Sequence, residues 1–229
     1  VDDGEGYGVP IRITPPDIRE IMLRLINASF FVQSRFSEKA REQIRLKQQK
    51  GSTATKGQAK TARDFKADFA GAFHRGPNGE MGIPAPAFRC ASIDVCRLVG
   101  YKMTLAKLSL FIRADFFDPR DGTPLVQIHM LKGHTEPQFS EKMILPVRNA
   151  GAGGVADLRA RPMWEPESFY VDVRIQYDAG QFTEEDVANL VWRVAVQNGI
   201  GEGRNNSKKS GGCGWGSFRV ENIGKRGAR

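Results

Sequence analysis

Phe169-Tyr170-Val171-Asp172-Val173-Arg174-Ile175-Gln176-Tyr177 places apolar or aromatic side chains at every second position, with Tyr170, Asp172, Arg174 and Gln176 between them. That period of two is the mark of a strand with one face in a core and the other in water. Downstream, Thr183-Glu184-Glu185 supplies an N-cap with acids in the first turn, and Val187, Leu190, Val191 and Val194 form a helical stripe. Gly199-Ile200-Gly201-Glu202-Gly203-Arg204 follows, then Lys208-Lys209, then Gly211-Gly212-Cys213-Gly214-Trp215-Gly216, and a short strand over Trp215 to Val220. The glycine loop therefore runs from helix to strand. A dinucleotide fingerprint needs strand, glycines and helix in that order, and a P-loop needs Gly-Lys-Ser/Thr after a strand. Neither is present. Glycines without side chains let a backbone lie close to a ligand, and the neighbouring cations supply positive charge.

Upstream, residues 1 to 20 are rich in Gly, Pro and acids and form an extended lead-in. Ile21 to Val32 is predicted as a strand. Ser37 to Lys50 is a basic helix with few apolar anchors, Gly51 to Gly57 a linker, and Thr61 to Phe73 a second helix whose Phe65, Phe69 and Phe73 are packing residues. After the turn Gly76-Pro77-Asn78-Gly79, Ile83-Pro84-Ala85-Pro86 opens a helix with the apolar stripe Phe88, Ala91, Val95, Leu98 and Val99, ending at Gly100. Leu108 to Phe116 reads as a strand, 125 to 131 as another, and 132 to 165 resists assignment. Without the insertions at about 35–75 and 132–165, the order is strand, helix, strand, strand, helix, strand. That is an α+β, ferredoxin-like (split βαβ, RRM-like) arrangement spanning 21–221, with a basic tail at 222–229. Its sheet leaves one face open, the geometry that RNA-recognition sheets use.

Charge points the same way. Lys plus Arg number 34 against 26 Asp plus Glu, a net of +8. Residues 35–66 carry +7 and 199–229 carry +5, so the remainder is net acidic. Cations gathered in two segments suit a polyanion-binding surface. Contacts to phosphate are expected from Arg204, Lys208, Lys209 and Arg219, with close backbone approach at Gly201 and Gly214. Trp215 fits either a core position or a base-stacking one. Arg35, Lys39, Arg41, Arg45 and Lys47, with Lys50, Lys56 and Lys60, form an arm that orders on a polyanion. Arg89, one turn into its helix, either meets a strand lying across the helix N-terminus or is simply solvated.

Enzyme signals are thin. His74, His129 and His134 lack zinc-like spacing, no Gly-x-Ser-x-Gly or Cys-His pattern marks a nucleophile, and no cofactor is called for. Asp64 and Asp68, one helical turn apart beside the arm, are the candidates for a metal-dependent nuclease; Asp115, Asp118 and Asp121 read as strand-end and turn residues. Cys90, Cys96 and Cys213 make no disulfide framework and suggest reduced thiols. With neither a signal peptide nor a membrane-length apolar run, a soluble cytoplasmic protein is expected.

Two segments resemble the RAMP (repeat-associated mysterious protein) superfamily, which includes the backbone subunits of CRISPR effector complexes. Gly82-Ile83-Pro84-Ala85-Pro86-Ala87-Phe88-Arg89 is similar to that family's start of its first core helix, and the loop Gly199 to Phe218 occupies the place of its glycine-rich loop. Arg35-Phe36-Ser37 together with the glycine-rich ending also resembles phage-encoded proteins. The resemblance implies a ferredoxin-like core that binds single-stranded RNA or DNA along its sheet and glycine loop. It further implies assembly into head-to-tail oligomers, with other effector subunits as possible partners, in the cytoplasm of a prokaryotic or phage-infected cell, as in antiviral defence. Some members cut RNA with a loop aspartate and a divalent ion, which makes a RAMP-type endoribonuclease the alternative reading. A structural, viral assembly protein is a third.

Overall fold

A computed structural model describes residues 13–36, 38–50, 64–139, 144–147, 155–207 and 212–222. In chain order the elements are β1 (Ile18–Asn27), β2 (Phe31–Val32), α1 (Glu38–Lys50), α2 (Phe65–Gly71), β3 (Gly82–Pro84), α3 (Ala85–Val95), α4 (Met103–Ser109) and β4 (Leu110–Ile112). They continue with β5 (Phe116–Phe117), β6 (Pro124–Gln127), β7 (His129–Met130), β8 (Ile144–Val147), β9 (Val155–Leu158), β10 (Met163–Trp164), β11 (Phe169–Asp178), α5 (Glu184–Arg193) and β12 (Phe218–Asn222). The protein is a mixed α+β structure built on antiparallel sheets.

The main sheet runs β12-β1-β11-β4, every pair antiparallel, with β7 also on β11. Alternation along β11 sends Phe169, Val171, Val173, Ile175 and Tyr177 inward, where they meet Ile21, Leu23 and Leu25 of β1. Phe88, Ala91 and Val95 of α3 and Val187, Leu190 and Val191 of α5 join the same core. Helix α3 begins at Ala85 beside two prolines, where a missing N–H costs nothing. Helix α5 begins with a capping box in which Thr183 and Asp186 satisfy each other's backbone N–H. It then widens into a π-helical turn, Val194–Asn198, that closes at Gly199.

Several elements differ from their sequence reading. The strand predicted over Ile21–Val32 breaks after Asn27, whose buried amide accepts from the N–H groups of Ser168 (3.0 Å) and Phe169 (2.9 Å) and donates to Glu165 O. The chain turns there, and β2 pairs with β10 in a separate two-stranded sheet. Leu108 and Ser109 belong to α4 rather than to a strand, since Ala106 and Ser109, three apart, are its buried positions. Helix α2 starts at Phe65, and β12 starts at Phe218 rather than Trp215. The unassigned 132–165 region contains the hairpin β8–β9 and strand β10. Among the described residues, no helix is long and apolar enough to cross a membrane.

Candidate nucleic-acid interface

Strand β2 is short, yet three segments are fastened around it. Glu202 N–H donates to Val32 O (2.9 Å), Gly216 N–H to Phe30 O (2.7 Å), Ala28 N–H to Ser217 O (2.9 Å), and Gln33 N–H to Pro162 O (3.1 Å). The glycine loop is also stitched to itself, through Ile200 N–H to Gly216 O (2.8 Å) and Cys213 N–H to Gly203 O (2.9 Å). Close packing explains two glycines directly. At Gly216 (φ 71°) a Cβ would lie 1.8 Å from Ile200 O, and at Gly201 (φ 98°) one would lie 2.7 Å from Val32 O. Gly201 is half-buried, and its missing side chain makes room for Val32 O and the Phe31 ring. Gly214 is different: it is exposed, and an added Cβ would meet nothing within 4 Å.

The described part of the loop brings a cation, Arg204, and an aromatic, Trp215, to this point. Trp215 is half-buried, packs with Met163 and Cys213 on Val32, and forms a backbone bridge with Arg204. Its indole covers Gly203. Arg204 donates to Gly201 O (3.1 Å) and remains half-buried. Glu202 pairs with Arg159 (2.7 Å) and Arg161 (3.4 Å), which lie in the stretch that resisted assignment. Sequence reasoning missed these two arginines; the paired Arg-x-Arg before Pro162 was the available signal. Glu202 thus carries two arginines, and Arg204, two residues on, lies beside Trp215 through their backbone bridge. Lys208 and Lys209 lie outside the described residues.

Three residues beyond β2, Arg35 departs from its expected role. Its side chain is 1% exposed and pairs with Asp121 (2.9 Å) and the fully buried Asp118 (3.5 Å). Arg120 also binds Asp118 (2.7 Å) and donates to Phe73 O (2.8 Å). Burial raises the Asp118 carboxyl, but the Arg120 hydrogen bonds and the charges of Arg120 and Arg35 outweigh it and hold the group at about 2. His74, with Nδ1 3.7 Å from Asp118, is pushed down to about 4 mainly by burial. Arg35 is thus an internal cation and is not presented to a phosphate. Asp118 and Asp121 are turn residues that also neutralise it.

Helix α1 follows, and it is exposed at all eight positions where burial is described, 41–46, 48 and 49. Arg41 reaches Asp121 (3.1 Å), and Arg45 pairs with Glu42 (3.1 Å). Lys39 and Lys47 lie on the same helix, their side chains outside the described set.

The remaining candidates separate. Arg89 donates from Nε to Leu110 O (2.8 Å) and from Nη2 to Lys107 O, tying α3 to the α4–β4 junction rather than reaching past its N-terminus. Asp64 caps α2 by accepting from Ala67 N–H (3.0 Å), and Asp68 lies in that helix's first turn. Among the described residues, no group of three His, Cys, Asp or Glu is placed to hold a metal ion. The open sheet face is charge-matched. Arg24 pairs with Asp172 (2.8 Å) and lies 4.0 Å from the Tyr170 ring, which stacks on His129 at 4.9 Å. Arg174 pairs with Asp115 (2.6 Å), Arg113 with Glu20 (3.4 Å), and the exposed Arg219 with Glu221 (2.8 Å). Compared with known proteins, the chain matches no family model and no curated protein.

Proposed function

We propose that this protein binds single-stranded nucleic acid, RNA or DNA, without cutting it, and that its interface is the β2 junction extended by α1. One observation carries the reading. The glycine loop, the Arg159–Arg161 segment and the root of the basic helix all converge on Phe31–Val32 and the residues just after it. Cations there would take phosphates, and the half-buried Trp215 in the same loop would offer a flat apolar surface for a base. The matched ion pairs of the open sheet weigh against that face as the main phosphate track. Helix α1, basic and exposed, suits an element that docks on a polyanion.

The sheet order β12-β1-β11-β4, with α3 and α5 on one face, supports a ferredoxin-like reading of the core and, with the glycine loop before its last strand, the RAMP-like resemblance. In this reading copies follow one another along the strand, in a cytoplasmic setting compatible with the free thiols Cys90, Cys96 and Cys213. The test is binding of nuclease-treated protein to labelled single-stranded RNA, single-stranded DNA and duplex DNA at two salt concentrations. Salt-sensitive preference for one single strand is expected; equal binding to duplex, or none, would remove the reading. Mg²⁺-dependent strand cleavage abolished by Asp68→Asn would replace it with the nuclease.

A further inference from the structure

We propose that Asp121 is an electrostatic latch on α1: in the free protein it holds Arg41, and a nucleic-acid phosphate takes Arg41 from it and frees the helix to close on the bound strand. The latch rests on the single-strand reading above and regulates that same site.

Two arginines six residues apart meet on one oxygen. Asp121 Oδ2 accepts from Arg35 Nη2 (2.9 Å) and from Arg41 Nη2 (3.1 Å), so the start of α1 is drawn back to the turn between β5 and β6. The other oxygen, Oδ1, accepts from the N–H (3.1 Å) and the hydroxyl of Thr123. Asp118 closes the turn, its N–H donating to Thr123 O (2.9 Å) and its carbonyl accepting from Gly122 N–H (2.8 Å). The carboxylate is therefore held in place independently of α1.

The two arginines are not equivalent. The Arg35 side chain is 1% exposed and also pairs with Asp118 (3.5 Å), whereas the Arg41 side chain is 43% exposed. When Arg41 leaves, Asp121 keeps Arg35 and Thr123, so no buried carboxylate is stranded without a cation. An ion pair with one such open member contributes little and is screened by salt. A phosphate, which can accept two guanidinium N–H groups side by side, competes well with it.

No packed side chain replaces that tie among the described residues of α1. Ile44 and Leu46 are exposed, and Arg45 pairs with Glu42 of the same helix. Arg41 alone among them forms an ion pair with the rest of the protein. Arg35 stays fixed three residues beyond Val32, whose carbonyl accepts from Glu202 N–H, so a released α1 remains rooted beside the glycine loop.

The test uses spin labels on Gln49→Cys in α1 and Glu185→Cys in α5, in full-length protein carrying Cys90→Ser and Cys213→Ser; Cys96 is buried. The free protein should give one narrow distance distribution, which Arg41→Gln broadens. Bound oligo-uridylate or oligo-thymidylate should shift the distance. In unlabelled protein, Asp121→Asn should tighten single-strand binding about threefold more with Arg41 present than in the Arg41→Gln background. A free-state distribution indifferent to Arg41→Gln, a distance unmoved by a bound strand, or equal effects of Asp121→Asn in both backgrounds would each overturn the latch. Should Asp121→Asn unfold by unsettling Arg35, the labelled Arg41→Gln protein still decides. Failure to bind either oligonucleotide would instead remove the single-strand reading, while the free-protein distances still decide whether Asp121 holds α1.

Discussion

At the scale of single residues, Gly216 and Arg35 separate what the glycine loop and the basic segment do for folding from the binding proposed for them. A Cβ at Gly216 would overlap Ile200 O, and φ there is positive. Gly216→Ala should therefore destabilise the protein by at least about 2 kcal/mol, measured by urea unfolding. Gly214→Ala, facing open space but also at positive φ (72°), should cost only about 1 kcal/mol. Arg35→Ala leaves Asp118 and Asp121 buried with one fewer cation and should cost about 3–5 kcal/mol. Arg45→Ala, on the exposed helix, should leave the unfolding midpoint unchanged and weaken nucleic-acid binding instead. The same cluster sets acid sensitivity. His74 holds its proton less readily when folded, at about 4 against an ordinary 6.5, so stability is complete above pH 6.5 and falls as pH drops towards 4. Asp118, held at about 2 against 3.8, adds a second loss between those values. Thermal melts should show both declines, and His74→Gln should flatten the upper one, worth on the order of 3 kcal/mol.

At the scale of elements, what was legible in the sequence was what local chemistry decides. The alternation of β11, the start of α3 at its prolines and the cap of α5 all follow from residues within a few positions of one another. Helix α4 was not legible, because seven residues with two buried positions give no period that outweighs a neighbouring apolar run. The break between β1 and β2 depends on Asn27 meeting Ser168 and Phe169, about 140 residues away. The candidate site divides in the same manner. Cation-rich segments were visible as composition, but burial of Arg35 and engagement of Arg89 with two carbonyls are tertiary facts. Arg159 and Arg161 were hidden in a region whose strands the sequence did not declare. Helix α1 carries its own expectation. Exposed wherever its burial is described, it should exchange its amide hydrogens quickly in the free protein. On addition of single-stranded RNA or DNA its protection should rise, with α5 as the unchanged internal control. Equal exchange with and without nucleic acid would remove α1 from the interface.

At the scale of the whole molecule, the excess of cations is distributed unevenly over the surface. The sheet's outer face matches its arginines with carboxylates, whereas the basic helix α1 follows β2 along the chain and the glycine loop is hydrogen-bonded to β2. In the proposed reading these two segments form one single-strand site. The measurement that tests it most directly is the salt dependence of single-strand affinity for wild type and for the variant Arg41→Gln, Arg45→Gln, Lys208→Gln, Lys209→Gln. The slope of log K against log salt should shrink by roughly 0.7 for each phosphate that the variant no longer neutralises, with duplex binding weaker than single-strand binding in both proteins. An unchanged slope in a folded variant would contradict it.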